Sequence, residues 1–168
     1  MLSKVLTKEA CAECKFCCSF RRQSLWETPL FPMETVEKYG AEGIRFLSCG
    51  EGDIRYGRMD LEGNYRTKDF EEEVPCSFLD VKRGCILSEE DKPFDCKIWP
   101  LRIMRKQDGE LVIALTPTCP EINRQPLAVM EDLVRSGLGE KIYAYAAEHP
   151  FIIKEYSEGF PVLMAKTP

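Results

Sequence analysis

Histidine is almost absent from this chain, and so are several motifs of common enzymes. The only histidine, His149, stands directly before a proline. The chain has no G-x-G-x-x-G or G-x-x-x-x-G-K motif for a nucleotide, and no C-x-x-x-C-x-x-C motif of radical SAM enzymes. A cysteine–histidine catalytic pair would have to use His149, whose position at a predicted helix end is more typical of a cap or surface residue. These absences argue against the commonest nucleotide-binding and cysteine–histidine enzymes.

Long apolar runs are also missing. Residues 1–10 contain no apolar run of signal-peptide length, and no stretch is long enough to cross a bilayer. The odd count of nine cysteines would leave one thiol without a disulfide partner. We therefore expect a reducing, cytoplasmic location and no membrane partner. The net charge of -5 argues against nucleic acid as an electrostatic partner.

Cysteine, in contrast, is abundant and concentrated near the start of the chain. Cys11, Cys14, Cys17 and Cys18 form a C-x-x-C-x-x-C-C run, and a C-x-x-C pair can fold around one metal in a tight turn. We expect Cys18 to turn to a different face or a second centre, because adjacent side chains diverge in helix and strand. If the run were helical, Cys11, Cys14 and Cys18 would share one face and Cys17 would point away from it. The run needs further ligands, and the remaining cysteines are Cys49, Cys76, Cys85, Cys96 and Cys119.

The later cysteines differ in how well their surroundings suit ligation. Cys76, Cys85 and Cys96 each stand beside a turn or a proline, where the backbone can present a sulfur. Cys119 precedes a proline, as the last ligand of bacterial ferredoxin motifs does. Cys49 is more typical of a small buried apolar residue. The predicted metal ligands are therefore Cys11, Cys14, Cys17, Cys18, Cys76, Cys85, Cys96 and Cys119.

An all-sulfur ligand set restricts the metal. It excludes calcium and magnesium, which prefer oxygen, and it suits zinc or an iron-sulfur cluster. Eight thiols would serve one or two centres. Cations placed near the cysteines favour the thiolate form, and the sequence has several: Lys15, Arg21, Arg22, Lys82, Arg83, Lys92, Lys97 and Arg102.

The sequence predicts an α+β fold in one domain, residues 1–168, with a real core. We expect a helix over residues 33–39, a first hairpin over residues 54–70 that turns at residues 61–64, and a tight turn before Cys85. A second hairpin is expected over residues 101–116, with its turn at Asp108 and Gly109. The metal-binding part should cover about residues 11–120, stapled by metal.

The end of the chain has a different pattern. Pro126 begins one amphipathic helix that stops at Gly137, and a second helix from Leu138 ends before Pro150. These helices form the predicted C-terminal helical part, about residues 121–150. Residues 151–164 should add a strand or pack as an extended tail.

The order of these motifs resembles the CxxCxxCC cysteine-cluster family, described as zinc- or iron-chelating proteins. The resemblance covers roughly residues 11–120 and rests on C-x-x-C-x-x-C-C followed by Pro75-Cys76-Ser-Phe-Leu-Asp80, Gly84-Cys85-Ile86, Lys92-Pro93-x-x-Cys96-Lys97-x-Trp99-Pro100 and Cys119-Pro120. Five positions depart from residues common in the family: Leu87, Lys92, Lys97, Trp99 and Glu121. The resemblance implies a metal centre without choosing the metal.

Three functions follow from these observations. The first is a metal-binding protein whose centre is structural or carries electrons; C-x-x-C-x-x-C with a remote Cys-Pro favours an iron-sulfur cluster over zinc. The second is a cluster-dependent enzyme, because flagellin lysine N-methylases carry a similar cysteine domain. The third is an interaction module that binds zinc only. Whether the chain is an enzyme stays open.

Overall fold

The computed structural model describes residues 2, 5 and 8–166. The chain forms two compact units: the cysteine unit, residues 7–96, and the sheet unit, residues 1–6 and 97–168. The described residues contain six α-helices and eleven short strands, which confirms the α+β class. Cys119 belongs to the sheet unit, and the other eight cysteines belong to the cysteine unit. The interpretation as one domain stays a prediction.

The cysteine unit is built from short elements. They are α1 (Lys8–Cys14), β1 (Ser19–Arg21), β2 (Leu30–Pro32), α2 (Met33–Ala41), β3 (Phe46–Glu51), β4 (Ile54–Met59), β5 (Glu73–Pro75), β6 (Leu79–Asp80), β7 (Gly84–Cys85) and α3 (Phe94–Ile98). The last two residues of α3, 97 and 98, are assigned to the sheet unit. They form three antiparallel sheets: β2-β4-β3, β1-β5 and β6-β7. Sheets of two or three strands need packing against other elements to be stable.

An apolar cluster supplies that packing. Its buried members are Phe20, Phe31, Met59, Leu61, Val74 and Phe78, and Cys76 packs against them. The ring of Phe78 lies 5.0 Å from that of Tyr39 and 5.6 Å from that of Phe31, measured between centroids. Residues from β1, β2, β4 and β5 all contribute to the cluster. It therefore fixes the loops that carry Cys18 and Cys76.

The predicted first hairpin is wrong. β4 pairs with β3, which precedes it, through a turn at Gly52 and Asp53, and residues 62–64 form a short 3-10 turn. Gly52 has a positive φ of 58°, which suits this tight turn. No strand follows over residues 65–70. Leu61 instead ends the segment inside the apolar cluster, where burial outweighs the local turn signal.

Cys49 also differs from its prediction. It lies in β3 opposite Tyr56, and both residues are partly exposed rather than buried. Alternate residues of a strand face opposite sides, and Phe46 and Met59 on the other side pack in or against the core. Cys49 therefore lies on the outer face of the sheet, and its thiol is 3.7 Å from the Leu47 carbonyl oxygen.

Helix α2 begins at Met33, after Pro32, as the sequence predicts, and ends two residues later than expected. Its last turn is tied to a loop through Asp91. The Asp91 carboxylate accepts hydrogen bonds from Lys38 Nζ at 2.8 Å, Tyr39 Oη at 2.9 Å and Ser88 Oγ at 2.7 Å. These donors, Lys38 first, lower the pKa of Asp91 from 3.8 to about 2.

This carboxylate should make stability depend on acid pH. Because the folded pKa lies below the unfolded one, the stabilisation is full above about pH 4 and is lost as the pH falls through about 2. We expect Asp91→Asn to be less stable than the wild type at pH 6, with the difference shrinking towards pH 2. Urea unfolding of both proteins at several pH values measures this. A difference that stays constant with pH would contradict it.

The sheet unit contains the second predicted hairpin, which is confirmed. Its elements are β8 (Leu101–Arg105), β9 (Leu111–Leu115), α4 (Pro120–Asn123), α5 (Leu127–Leu133), α6 (Gly139–Glu148), β10 (Lys154–Glu155) and β11 (Val162–Ala165). The strand order is β10-β8-β9-β11, with β10 parallel to β8. Gly109 has a positive φ of 90° in the hairpin turn. Residues after 151 thus add two strands to the sheet.

The predicted pair of C-terminal helices is also confirmed. α5 and α6 are joined by a π-helical turn, Val134–Leu138, and Gly137 in that turn has a positive φ of 108°. Glycine adopts this conformation at little cost, so it interrupts the helix where the sequence predicts a stop. None of the helices within residues 8–166 is long and apolar enough to span a membrane.

Candidate metal centre

The first cysteine run adopts a bent conformation rather than one helix. α1 ends at Cys14 because Lys15 takes a left-handed conformation, with φ of 53°. A 3-10 turn, Phe16–Cys18, follows and leads directly into β1. A single helix would have sent Cys17 aside. The bend instead turns Cys17 and Cys18 into the unit, where both are partly buried.

Backbone contacts then bring the later cysteines to the same region. The Cys76 N–H donates a hydrogen bond to the Cys18 carbonyl oxygen at 2.7 Å. Pairing of β6 with β7 places Cys85 opposite Leu79, three residues after Cys76. Cys96 lies on α3, directly after Asp95. Elements distant in sequence therefore meet around these thiols.

Four of these residues form a set that we call the inner thiols: Cys18, Cys76, Cys85 and Cys96. The Cys96 thiol interacts electrostatically with the thiols of the other three. The Cys76 thiol also interacts with those of Cys18 and Cys85. All four are partly buried. The thiol of Cys17, which is hydrogen-bonded to that of Cys18, lies beside this set.

Burial and repulsion between neighbouring charges raise the pKa of two inner thiols, Cys76 and Cys96. The pKa of Cys76 is raised from 9.0 to about 12, chiefly because burial disfavours the thiolate. Burial likewise raises the pKa of Cys96 well above 9.0, and the charge of Asp95 adds to it. The Phe78 N–H donates a hydrogen bond to Cys76 Sγ at 3.5 Å, which partly opposes the rise. A bound cation would reverse this balance and favour the thiolates.

Cys17 and Cys18 contradict the prediction that adjacent thiols diverge. Their thiols are hydrogen-bonded to each other, which raises the pKa of Cys17 and lowers that of Cys18 to about 7. Burial opposes the fall at Cys18, and the nearby charge of Lys92 supports it. The divergence rule holds within regular helix and strand, whereas Cys18 is the junction between a 3-10 turn and β1.

The other predicted ligands occupy different positions. Cys11 and Cys14 lie on α1 and are exposed, and the Cys11 thiol interacts with that of Cys17. Cys119 is buried within the sheet unit at the start of α4, where its carbonyl oxygen accepts a hydrogen bond from the Asn123 N–H. No disulfide joins any of the nine cysteines, all of which lie within the described residues.

Tight convergence on a metal is not seen. Over the described part of the chain, no three histidine, cysteine, aspartate or glutamate side chains are placed to hold a metal ion together. The prediction that metal staples the domain is therefore not shown.

No protein-family model, curated protein or solved structure matches the chain.

The donor chemistry of the inner thiols nevertheless fits a thiolate-bound metal. Sulfur ligands suit zinc and iron-sulfur clusters, and both commonly take four cysteines. The backbone N–H of Phe78 already contacts the Cys76 sulfur, and such hydrogen bonds around ligands tune metal sites. The four residues offer sulfur and no competing hard oxygen ligand of their own.

Two supporting residues were not anticipated from the sequence. Asp95 is only 2% exposed, and its carboxylate accepts a hydrogen bond from the Leu30 N–H at 3.1 Å, which anchors α3 to β2. Met59 Sδ lies 3.6 Å from Cys76 Sγ and packs the inner side of that thiol. In the sequence, the only indication of a role for Asp95 was its charge between Phe94 and Cys96. Nothing in the sequence distinguished Met59 from other apolar residues.

Proposed function

We propose that the cysteine unit binds metal through the inner thiols as one four-thiolate centre. The proposal rests on one observation, that backbone pairing gathers the cysteine-bearing segments: the Cys76 N–H donates a hydrogen bond to the Cys18 carbonyl oxygen at 2.7 Å, and β6 pairs with β7 so that Cys85 lies opposite Leu79. The chain order of the cysteine motifs supports it. Either a zinc ion or an iron-sulfur cluster suits this ligand set, and the centre is structural or carries electrons.

A structural role follows from where the inner thiols lie in the chain. Cys18 leads into β1, Cys76 follows β5, Cys85 ends β7, and Cys96 lies on α3. The sheets that carry them have only two or three strands each, which provides little stability alone. A shared metal would cross-link these elements in the folded state but not in the unfolded chain, and its binding energy would stabilise the fold.

Metal analysis and the visible absorption spectrum of protein purified without oxygen identify the metal. Iron with acid-labile sulfide and a coloured protein would indicate a cluster. A colourless protein with one zinc per chain would indicate a zinc site. Absence of both, together with no uptake of Zn²⁺ or Co²⁺ by the reduced protein, would overturn the proposal.

Substitution of one inner thiol should remove tight binding. We expect Cys85→Ser to weaken Co²⁺ binding by more than roughly 100-fold, since loss of a direct ligand should exceed the usual cost of losing an outer-shell partner. Cys49→Ser is the matched control and should bind as the wild type does, because Cys49 lies on the outer face of the β2-β4-β3 sheet. Titrations followed by thiolate-to-cobalt absorption measure both. Equal affinity in the two variants would contradict the four-thiolate centre.

A further inference from the structure

Met59 places a thioether sulfur in direct contact with one of the inner thiols. The Cys76 thiol donates a hydrogen bond to Met59 Sδ at 3.6 Å, so a lone pair of the thioether faces the thiol proton. The Met59 side chain is only 2% exposed. Two sulfurs that bind one ion at bond lengths of about 2.3 Å lie roughly 3.8–4.0 Å apart. The two side chains are therefore already close to the spacing of two ligands of one ion.

The register of two strands brings Cys18 to the same place. β1 pairs with β5, and Ser19 lies opposite Pro75. One step further in this register Cys18 lies opposite Cys76, whose N–H donates a hydrogen bond to the Cys18 carbonyl oxygen at 2.7 Å. Residues directly opposite each other in an antiparallel pair have β-carbons about 4.5–5.5 Å apart. Backbone pairing thus sets a second thiol beside the one that Met59 contacts.

The side on which these groups lie is the apolar cluster. Phe20 and Val74 follow Cys18 and precede Cys76 by two positions, and both are buried in the cluster. Alternate residues of a strand face the same side, so the two cysteines share that side with Phe20 and Val74. Cys76 packs against the cluster, and Met59 is one of its buried members. Two thiols and one thioether therefore meet at its edge.

We propose that Cys18, Cys76 and Met59 form a site for monovalent copper, in which two thiolates and one thioether bind the ion. This inference rests on the proposed function, because it uses two of the same cysteines as metal ligands, and it adds the class of ion that the thioether selects. Thiolate and thioether sulfurs are soft ligands, which favour Cu(I). Cu(I) is also stable with fewer ligands than the four that zinc takes in structural sites.

Binding requires no redox step. The Cys18 and Cys76 thiols each release one proton and form one bond to copper, and the neutral thioether forms the third bond without losing a proton. The ion arrives as a Cu(I) complex of a low-molecular-weight thiol, whose departing thiolates take up the two protons. Copper stays monovalent throughout. It takes the place of the Cys76 proton that faces Met59 Sδ in the metal-free protein.

The rival interpretation is that Met59 only fills space in the apolar cluster, as methionine does in many cores. Leucine has a similar volume and no sulfur, so Met59→Leu retains most of the packing and removes the thioether. Met104→Leu is the matched control, because Met104 is also fully buried but lies in the core of the sheet unit. A packing role alone predicts that the two variants bind metal alike.

Competition for Cu(I) tests the site in the full-length, reduced protein without oxygen. The probe is Cu(I) bound to bicinchoninate, a chelator whose copper complex loses its colour as the protein takes the ion. We expect Met59→Leu to bind Cu(I) roughly tenfold or more weakly, since loss of a direct ligand should cost at least as much as loss of an outer-shell partner. Met104→Leu should bind Cu(I) as the wild type does. The Co²⁺ affinity of Met59→Leu should equal that of the wild type, because all four inner thiols remain.

X-ray absorption at the selenium edge provides a measurement that a packing role would not change. Protein produced with selenomethionine and loaded with Cu(I) should show copper as a direct neighbour of selenium. The chain has six methionines, so variants must assign the signal. It should persist in Met104→Leu and disappear in Met59→Leu.

The possible failures are distinguishable. Equal Cu(I) affinity in Met59→Leu and Met104→Leu, or no copper–selenium signal in the wild type, would overturn the copper site and leave the four-thiolate centre intact. An equal loss of Cu(I) and Co²⁺ affinity in Met59→Leu would also overturn it, because that result indicates a general effect on the fold. Failure of the wild type to bind Zn²⁺, Co²⁺ or an iron-sulfur cluster would overturn the proposed function, whatever the Cu(I) affinity. Circular dichroism verifies that each variant is folded.

Discussion

Removal of the proposed metal at neutral pH is expected to destabilise the cysteine unit by about 10 kcal/mol, the scale of a structural thiolate site. That loss is comparable to the whole stability of a typical domain, so the unit should unfold. The physical reason is that the inner thiols come from four separate elements whose sheets are very small. Without the proposed cation, burial would favour the protonated forms of Cys76 and Cys96, and the cross-link would be lost.

Thermal unfolding before and after complete chelation measures this effect. Amide hydrogen exchange locates it: protection in β3 and β4 should disappear, whereas the β8-β9 hairpin should keep most of its protection, because it has its own four-stranded sheet. Cys96→Ser without chelator should resemble the chelated wild type. A melting temperature that does not change after metal removal would contradict a structural metal.

Phe78→Ala is expected to cost 3–5 kcal/mol, approximately the range for deleting a buried aromatic ring. The Phe78 side chain is 1% exposed, and its ring contacts those of Phe31, Tyr39 and Phe46. Its removal leaves a cavity at the centre of the apolar cluster, and the backbone N–H that contacts Cys76 Sγ loses its packed support.

Phe70→Ala is the matched control, because Phe70 has the same side chain but is 67% exposed. Its effect should stay within about 0.5 kcal/mol. Denaturant unfolding of the metal-loaded variants gives both values. Similar losses for the two substitutions would show that the cluster around Phe78 does not stabilise the unit.

The sequence predicted elements correctly where they pack against their neighbours in the chain. Asp108 and Gly109 join two neighbouring strands, and Gly137 separates two neighbouring helices. The residues within each segment were therefore enough to predict the hairpin and the helix pair. The prediction of the first hairpin was wrong because the pairing of β4 depends on residues distant in the chain. Strand β4 had turn signals on both sides, Gly52 before it and Gly63 after it, and the choice depended on β2 and the apolar cluster.

The grouping of the cysteines in the candidate site also could not be predicted from the sequence. Cysteine spacing predicted which residues could ligate, but spacing cannot say which distant thiols share a region. That grouping depends on the Cys76–Cys18 backbone hydrogen bond and on the β6-β7 pairing, both of which are tertiary. The hydrogen bond between Cys17 and Cys18 likewise arises at a junction between two kinds of backbone, which no periodicity describes.

Gly84 acts as a spacer between a helix and a hairpin. A β-carbon at this position would lie 3.1 Å from the Ala12 β-carbon, and the backbone φ is 77°. Any larger residue would meet both steric crowding and an unfavourable conformation. It would thereby push α1 away from β7 by a few tenths of an ångström. The missing side chain at Gly84 thus decides how closely the helix that carries Cys11 and Cys14 can approach the hairpin that carries Cys85.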